Sequence, residues 1–122
     1  MKSIVQGTVI HGDHQGSALG FPTANLSTPA SNIEPACGVY RGSVTIKDDP
    51  TQRLCAVVIR ERNGEKSLEV HILDFNEDLY EQQLIVTTKD FIRDWHPIEN
   101  KDDLINQIMQ DIEKIRELES AE

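Results

Sequence analysis

Positive charge is scarce in this chain of 122 residues: 12 Lys and Arg stand against 21 Asp and Glu, a formal net charge of −9. Non-specific nucleic-acid binding and adhesion to anionic membranes both need positive fields, so both are excluded as expectations. A phosphate-bearing ligand would have to be held by local donors and a metal, not by a basic surface. Cysteine is equally sparse. Cys37 and Cys55 are the only two, and neither sits in a CxxC or a Cys/His zinc spacing. They read as reduced thiols of a cytoplasmic protein, with one disulfide as the alternative. No apolar run approaches a membrane span, and Met-Lys-Ser-Ile-Val-Gln-Gly at the start lacks the apolar core of a signal peptide. His11, His14, His71 and His96 lack paired ligand spacing, which argues against a zinc site.

What is present suits a soluble globular protein, with 38% hydrophobic and 27% charged residues. The length fits one domain spanning residues 1–122, with a single core and no repeats. Residues 11–26 stand out, because Gly12, Gly16 and Gly20 lie four apart and Pro22, Thr23 and Asn25 follow. Spaced glycines let a backbone aim several N–H donors at an anion. Thr23 and Asn25 offer neutral oxygens, which Mg²⁺ accepts beside phosphate oxygens. By themselves these glycines read better as an ordinary connection between strands than as a site. No Gly-Lys-Ser/Thr closes a Walker loop.

Strands are expected at residues 4–10, 38–47, 54–59, 68–73 and 84–88, with a loop over 27–36. The run at 54–59 is nearly all apolar and suits a strand buried on both faces. Asp48-Asp49-Pro50 is a turn, and Asn63-Gly64 signals a hairpin because both residues accept positive φ. From Asp102 onward the period becomes helical, with Leu104, Ile108, Ile112 and Ile115 in one stripe. Ile105, Met109 and Leu118 widen it, and Asn100 is the expected N-cap. Its apolar stripe is expected to cover an open side of the sheet. Several short strands and one terminal helix suggest a small antiparallel barrel capped by a helix.

Two side chains could carry chemistry. Glu69 shares a strand face with His71, opposite Leu68, Val70 and Ile72. It is either a solvated glutamate or a general base taking a proton from a substrate hydroxyl. Arg93, expected just after the last strand and between Phe91 and Trp95, is either a surface arginine or a support for a planar ring or a phosphate.

Taken together, His11-Gly12-Asp13, the run Leu19-Gly20-Phe21-Pro22-Thr23-Ala24-Asn25-Leu26, Gly38-Val39-Tyr40 and the run Leu68-Glu69-Val70-His71-Ile72-Leu73-Asp74-Phe75 resemble the riboflavin kinase (flavokinase) family. Asp78-Leu79-Tyr80 and the helix from Leu104 to Arg116 continue that order. The resemblance implies a six-stranded antiparallel Greek-key barrel with a C-terminal helix, which transfers the γ-phosphate of ATP to the 5′-hydroxyl of riboflavin, giving FMN and ADP. It implies that Glu69 is the catalytic base and that Gly12, Gly16, Gly20, Thr23 and Asn25 bind the nucleotide. Thr23 and Asn25 would also hold Mg²⁺, and Arg93 would lie near the flavin. A monomer is expected, without nucleic-acid or membrane partners. FAD synthesis is not expected, because no counterpart of the adenylyltransferase domain fused to many bacterial relatives is present. The alternative is a non-catalytic flavin- or nucleotide-binding barrel. It is motivated by two departures from the family pattern, uncharged Gln15 and Ser17 where a basic residue is usual and a shortened Val58–Gly64 hairpin segment. A third departure is Glu81 where glycine is common.

Overall fold

The computed structural model describes residues 3–10, 21, 23–75 and 77–122. Six strands, β1 (Ser3–Ile10), β2 (Ala24–Ser27), β3 (Gly38–Ile46), β4 (Arg53–Arg62), β5 (Glu65–Ile72) and β6 (Gln83–Arg93), are followed by one helix, α1 (Lys101–Ala121). The strands close into a barrel in the order β1-β2-β5-β4-β3-β6, every neighbour antiparallel. β3, β4 and β5 follow one another as neighbours, and β6 returns beside β3, which is a Greek key.

Alternation fills the barrel. Val5, Val9, Leu26, Tyr40, Val44, Cys55, Val57, Ile59, Leu68, Val70, Ile72, Leu84 and Val86 form one buried cluster. At the full burial of Cys55, desolvation pushes its thiol up to about 12, so it behaves as a small apolar side chain. Cys37 and Cys55 are both free thiols.

The other face of β4 (Leu54, Ala56, Val58) is turned outward, toward α1. A second cluster of Ala56, Leu73 and Ile115, with Leu54, Ile92 and Ile112, joins the helix to the barrel wall. The helix therefore covers no open side. Closure through β1 and β6 leaves none, and α1 packs on the outside of a complete barrel. Asn100 caps it as expected, its side chain accepting from the Asp103 N–H at 3.0 Å. The helix has no basic residue in its last turn, an arrangement that does not offset the negative end of the dipole. Arg41, buried on the outer face of β3, supplies that charge from the barrel, donating to Asp90, Glu119 and Glu122. The Glu122 hydrogen bond first, and Asp90 after it, hold the guanidinium pKa above its ordinary value against the opposing effect of burial.

Two boundaries differ from the sequence reading. β2 is a strand of four residues, too short for periodicity to reveal. β6 runs on to Arg93, so this arginine ends the strand instead of following it. Residues 27–36 remain a connection, with a 3₁₀ turn at Ala30–Asn32.

The turns behave as their residues dictate. Asn63 and Gly64 take φ of 55° and 79°, the pair of positive angles that the two-residue hairpin needs. Asp48 has φ 67°, and Asp49 accepts the Thr51 N–H at 3.0 Å. Glu81 has φ 69°, a region costly for a residue with a Cβ. That angle explains why glycine suits this position. Replacing Glu81 with glycine is expected to stabilise the fold by about 1 kcal/mol, because relief of the left-handed strain outweighs the entropy that glycine adds to the unfolded chain. Chemical denaturation of Glu81→Gly checks it, and a loss of stability would contradict it.

Candidate active site

The registers place Asn25, Glu69 and Arg93, three of the sequence-selected residues, in one line. Asn25 pairs with Glu69, Glu69 with Val58, Val58 with Val39, and Val39 with Arg93. Five neighbouring strands thus contribute one residue each to a row across the outer wall. At about 4.8 Å between strands, the row is roughly 19 Å long. Ala24 and Leu26 are buried in the barrel core, which turns Asn25 to the outer face. The same parity turns Glu69 and His71 outward, away from Leu68, Val70 and Ile72.

Over the row lies a cavity of about 380 Å³. Its polar end is walled by Thr23, Arg60, Glu69 and His71, its floor includes Val39, Ala56 and Val58, and its roof is Trp95 with Leu104, Ile108 and Ile112 of the helix. A mostly apolar cleft of this size with a few convergent polar groups suits a planar organic ligand. Asn25 is not one of its walls and lies beside it as the cross-strand partner of Glu69. Phe21 meets the His71 ring edge-on at 5.9 Å between centroids.

Two ion pairs fix the cavity's charge. Arg60 Nη2 donates to Glu69 Oε1 at 2.9 Å, and the two side chains are only 17% and 13% exposed. The Arg60 guanidinium also lies over the Trp95 ring, 5.5 Å from its centroid, within cation–π range. Across the cavity, Arg93 grips Asp111 of the helix through Nε and Nη2, both at 2.9 Å, and its Nη1 donates to the Asp94 carbonyl at 3.1 Å. Gln107 adds a third bond to the buried Asp111, at 3.0 Å. Arg93 thus ties the roof to the wall through a planar bidentate fork.

The sequence-selected set is divided. Thr23, Asn25, Glu69 and Arg93 surround or adjoin the cavity, while Gly12, Gly16 and Gly20 lie outside the described residues. Arg60 and Asp111 were missed. Asp111 had a signal, since it falls seven residues after Leu104, a charge set into an apolar stripe. Arg60 had one as well, since a two-residue Asn63-Gly64 hairpin sets it diagonally across from Glu69 on the same face.

The chemistry of the donors bears on a metal. Among the described residues, no group of three or more His, Cys, Asp or Glu could hold an ion. Thr23 and Asn25 offer a hydroxyl and an amide carbonyl, which fits a hard cation that keeps waters and takes its remaining ligands from phosphate. Among the described residues, no helix is long and apolar enough to cross a membrane.

Comparisons with known proteins agree with this fold. The family model described as riboflavin kinase matches residues 2–119. A bifunctional riboflavin kinase/FMN adenylyltransferase of Bacillus subtilis (strain 168) is 31% identical over 115 residues, covering 90% of this chain and 35% of that protein. The chain thus spans about a third of the length of such relatives. Among solved structures, a Streptococcus pneumoniae protein described as a macrolide-efflux protein superposes with a TM-score of 0.80 at 30% identity, covering 93% of this chain and 38% of the other. The riboflavin kinase of Trypanosoma brucei, at 21% identity, shares the fold with a TM-score of 0.73, covering 96% of this chain and 76% of the other. With a match running almost from end to end, this chain belongs to the riboflavin kinase family.

Proposed function

We propose that the chain is an ATP:riboflavin 5′-phosphotransferase, making FMN and ADP. The single observation that carries the reading is the row from Asn25 through Glu69 to Arg93 beneath one apolar cavity, in a chain of this family. The flavin ring lies between the Val39, Ala56 and Val58 floor and the Trp95 and helix roof, where burial of its faces supplies affinity. Arg93, fixed by Asp111, walls the ring site. The ribityl 5′-hydroxyl then reaches toward Glu69.

Glu69 accepts the hydroxyl proton as the oxygen bonds to the γ-phosphorus of ATP. The bond to the β–γ bridging oxygen breaks, and its electrons leave with ADP. Such transfer depends mainly on positioning and on neutralising charge. Thr23 and Asn25 would hold Mg²⁺ with the nucleotide, and the ion when bound supplies charge neutralisation at the phosphate oxygens. The helix roof excludes water, which would otherwise compete with the flavin hydroxyl for the phosphoryl group.

One observation favours the second reading, a barrel that binds flavin or nucleotide without turnover: Arg60 already occupies Glu69. Incubation with ATP, Mg²⁺ and riboflavin, with flavins resolved by chromatography, separates the two. The kinase reading expects FMN and ADP in equal amounts. Saturable riboflavin or ADP binding without FMN would leave the binding barrel.

A further inference from the structure

Between Lys2 and Arg41 the sequence holds no lysine or arginine, so the glycine-rich stretch brings no full positive charge to a polyphosphate. The charge must come from elsewhere on the site. Two arginines line the cavity, Arg60 and Arg93. Arg93 is closed in a bidentate fork with Asp111 and bonded to the Asp94 carbonyl. Arg60 holds Glu69 at the polar end, beside Thr23, in surroundings where both partners are more than four-fifths shielded from solvent. Charge is worth more in such a setting than on an open surface.

We propose that Arg60 is the phosphate-binding charge of this site and that the incoming polyphosphate takes it from Glu69. The geometry requires the neighbourhood: a base that reaches the attacking hydroxyl lies within a few ångström of the phosphate being attacked. A guanidinium already bonded to that base is within a side-chain rotation of the same phosphate oxygens. Phosphate offers it several anionic oxygens where the carboxylate offers two, and arginine matches both geometries. The exchange explains how one contact serves two states. Without nucleotide, Arg60 compensates a shielded carboxylate. With nucleotide, it pairs with phosphate and leaves Glu69 able to accept a proton. Arg60 thus fills the role left by uncharged Gln15 and Ser17, and the residue lies in the very segment that departs from the family pattern.

The role of Glu69 in this exchange rests on the kinase reading, but the test does not need turnover. Inorganic tripolyphosphate and MgADP are titrated calorimetrically into the wild type, Arg60→Met and Arg60→Lys. Methionine keeps an unbranched apolar stem beneath Trp95. Loss of one charge-assisted contact should weaken tripolyphosphate binding roughly 10- to 100-fold in Arg60→Met, with partial recovery in Arg60→Lys. Trp95 is the only tryptophan, so its emission reports the guanidinium above it. Tripolyphosphate should change that emission in the wild type and leave it unchanged in Arg60→Met. Equal tripolyphosphate affinity in wild type and Arg60→Met, or no binding to the wild type, overturns the proposal. Should Arg60→Met fail to fold, an unresponsive Trp95 in the wild type overturns it as well. FMN synthesis undiminished in Arg60→Met would overturn it while leaving the kinase reading intact. Arg60-dependent tripolyphosphate binding without FMN synthesis would do the reverse.

Discussion

Replacing Glu69 with glutamine should lower kcat for FMN formation by roughly 10²- to 10⁴-fold, the contribution of a positioned general base. Riboflavin affinity should stay within about threefold of wild type, because the substitution changes no shape and leaves the Val39, Ala56 and Val58 floor and the helix roof untouched. Nucleotide affinity should hold or rise, because Arg60 is held less tightly. Glutamine keeps a carbonyl oxygen that can still accept from Arg60, so the wall should not collapse. Fold stability is expected to fall by only about 1 kcal/mol, the value of exchanging a charged for a neutral acceptor in a partly shielded pair. Steady-state kinetics beside equilibrium binding separate these effects. A Glu69→Gln protein with at least a fifth of wild-type kcat would remove Glu69 from the base role. A joint loss of binding and turnover would assign it a structural role instead.

The second large effect is expected at Asp111. Its carboxylate is 8% exposed and lies under the Arg93 fork, so Asp111→Ala leaves a guanidinium facing the cavity without its counter-charge. Removing one partner of such a pair costs about 3 kcal/mol. In a domain of this size that lowers Tm by roughly 10 °C. Because the pair ties helix to barrel, the loss should loosen the roof and weaken riboflavin binding more than nucleotide binding. Removing Arg93 as well takes away the stranded charge, so the double variant should melt above the sum of the two single losses. Thermal melts of both singles and the double measure this coupling. Strict additivity would show that the fork contributes no pairwise stability.

Much of the barrel was legible because short-range chemistry agrees with the long-range fold. Asn63-Gly64 fixes the β4–β5 hairpin through two positive φ angles. The alternation of Leu68, Val70 and Ile72 against Glu69 and His71 fixes which face the chemistry occupies. Asn100 and the stripe from Leu104 fix the helix. Closure was not legible from any single strand. It depends on β1 pairing with β6, some 80 residues away in the chain, and on the four-residue β2 bridging β1 and β5. The helix was accordingly expected on an open side that does not exist.

The candidate site divides along the same line. Thr23, Asn25, Glu69 and Arg93 were chosen from local sequence, and register alone puts three of them in one row. The connections between them come from side chains on other elements. Asp111 reaches Arg93 from the helix, and Arg60 reaches Glu69 across a strand pair. The Arg93–Asp111 link has no local pattern, because an ion pair between a strand and a helix leaves no periodicity in either, whereas the Arg60–Glu69 pair follows from the register of the Asn63-Gly64 hairpin. Glu81 is the converse case. The departure from glycine was visible in the sequence, and the positive φ supplies its physical meaning.

The most direct measurement is a single-turnover reaction with ATP labelled at the γ-phosphate, Mg²⁺ and riboflavin, run on wild type and Glu69→Gln. On the kinase reading the label moves into FMN on the wild type, and its rate falls by at least about 100-fold in the variant. Label that stays in ATP while riboflavin binds saturably, or that reaches FMN equally fast in both proteins, would contradict it.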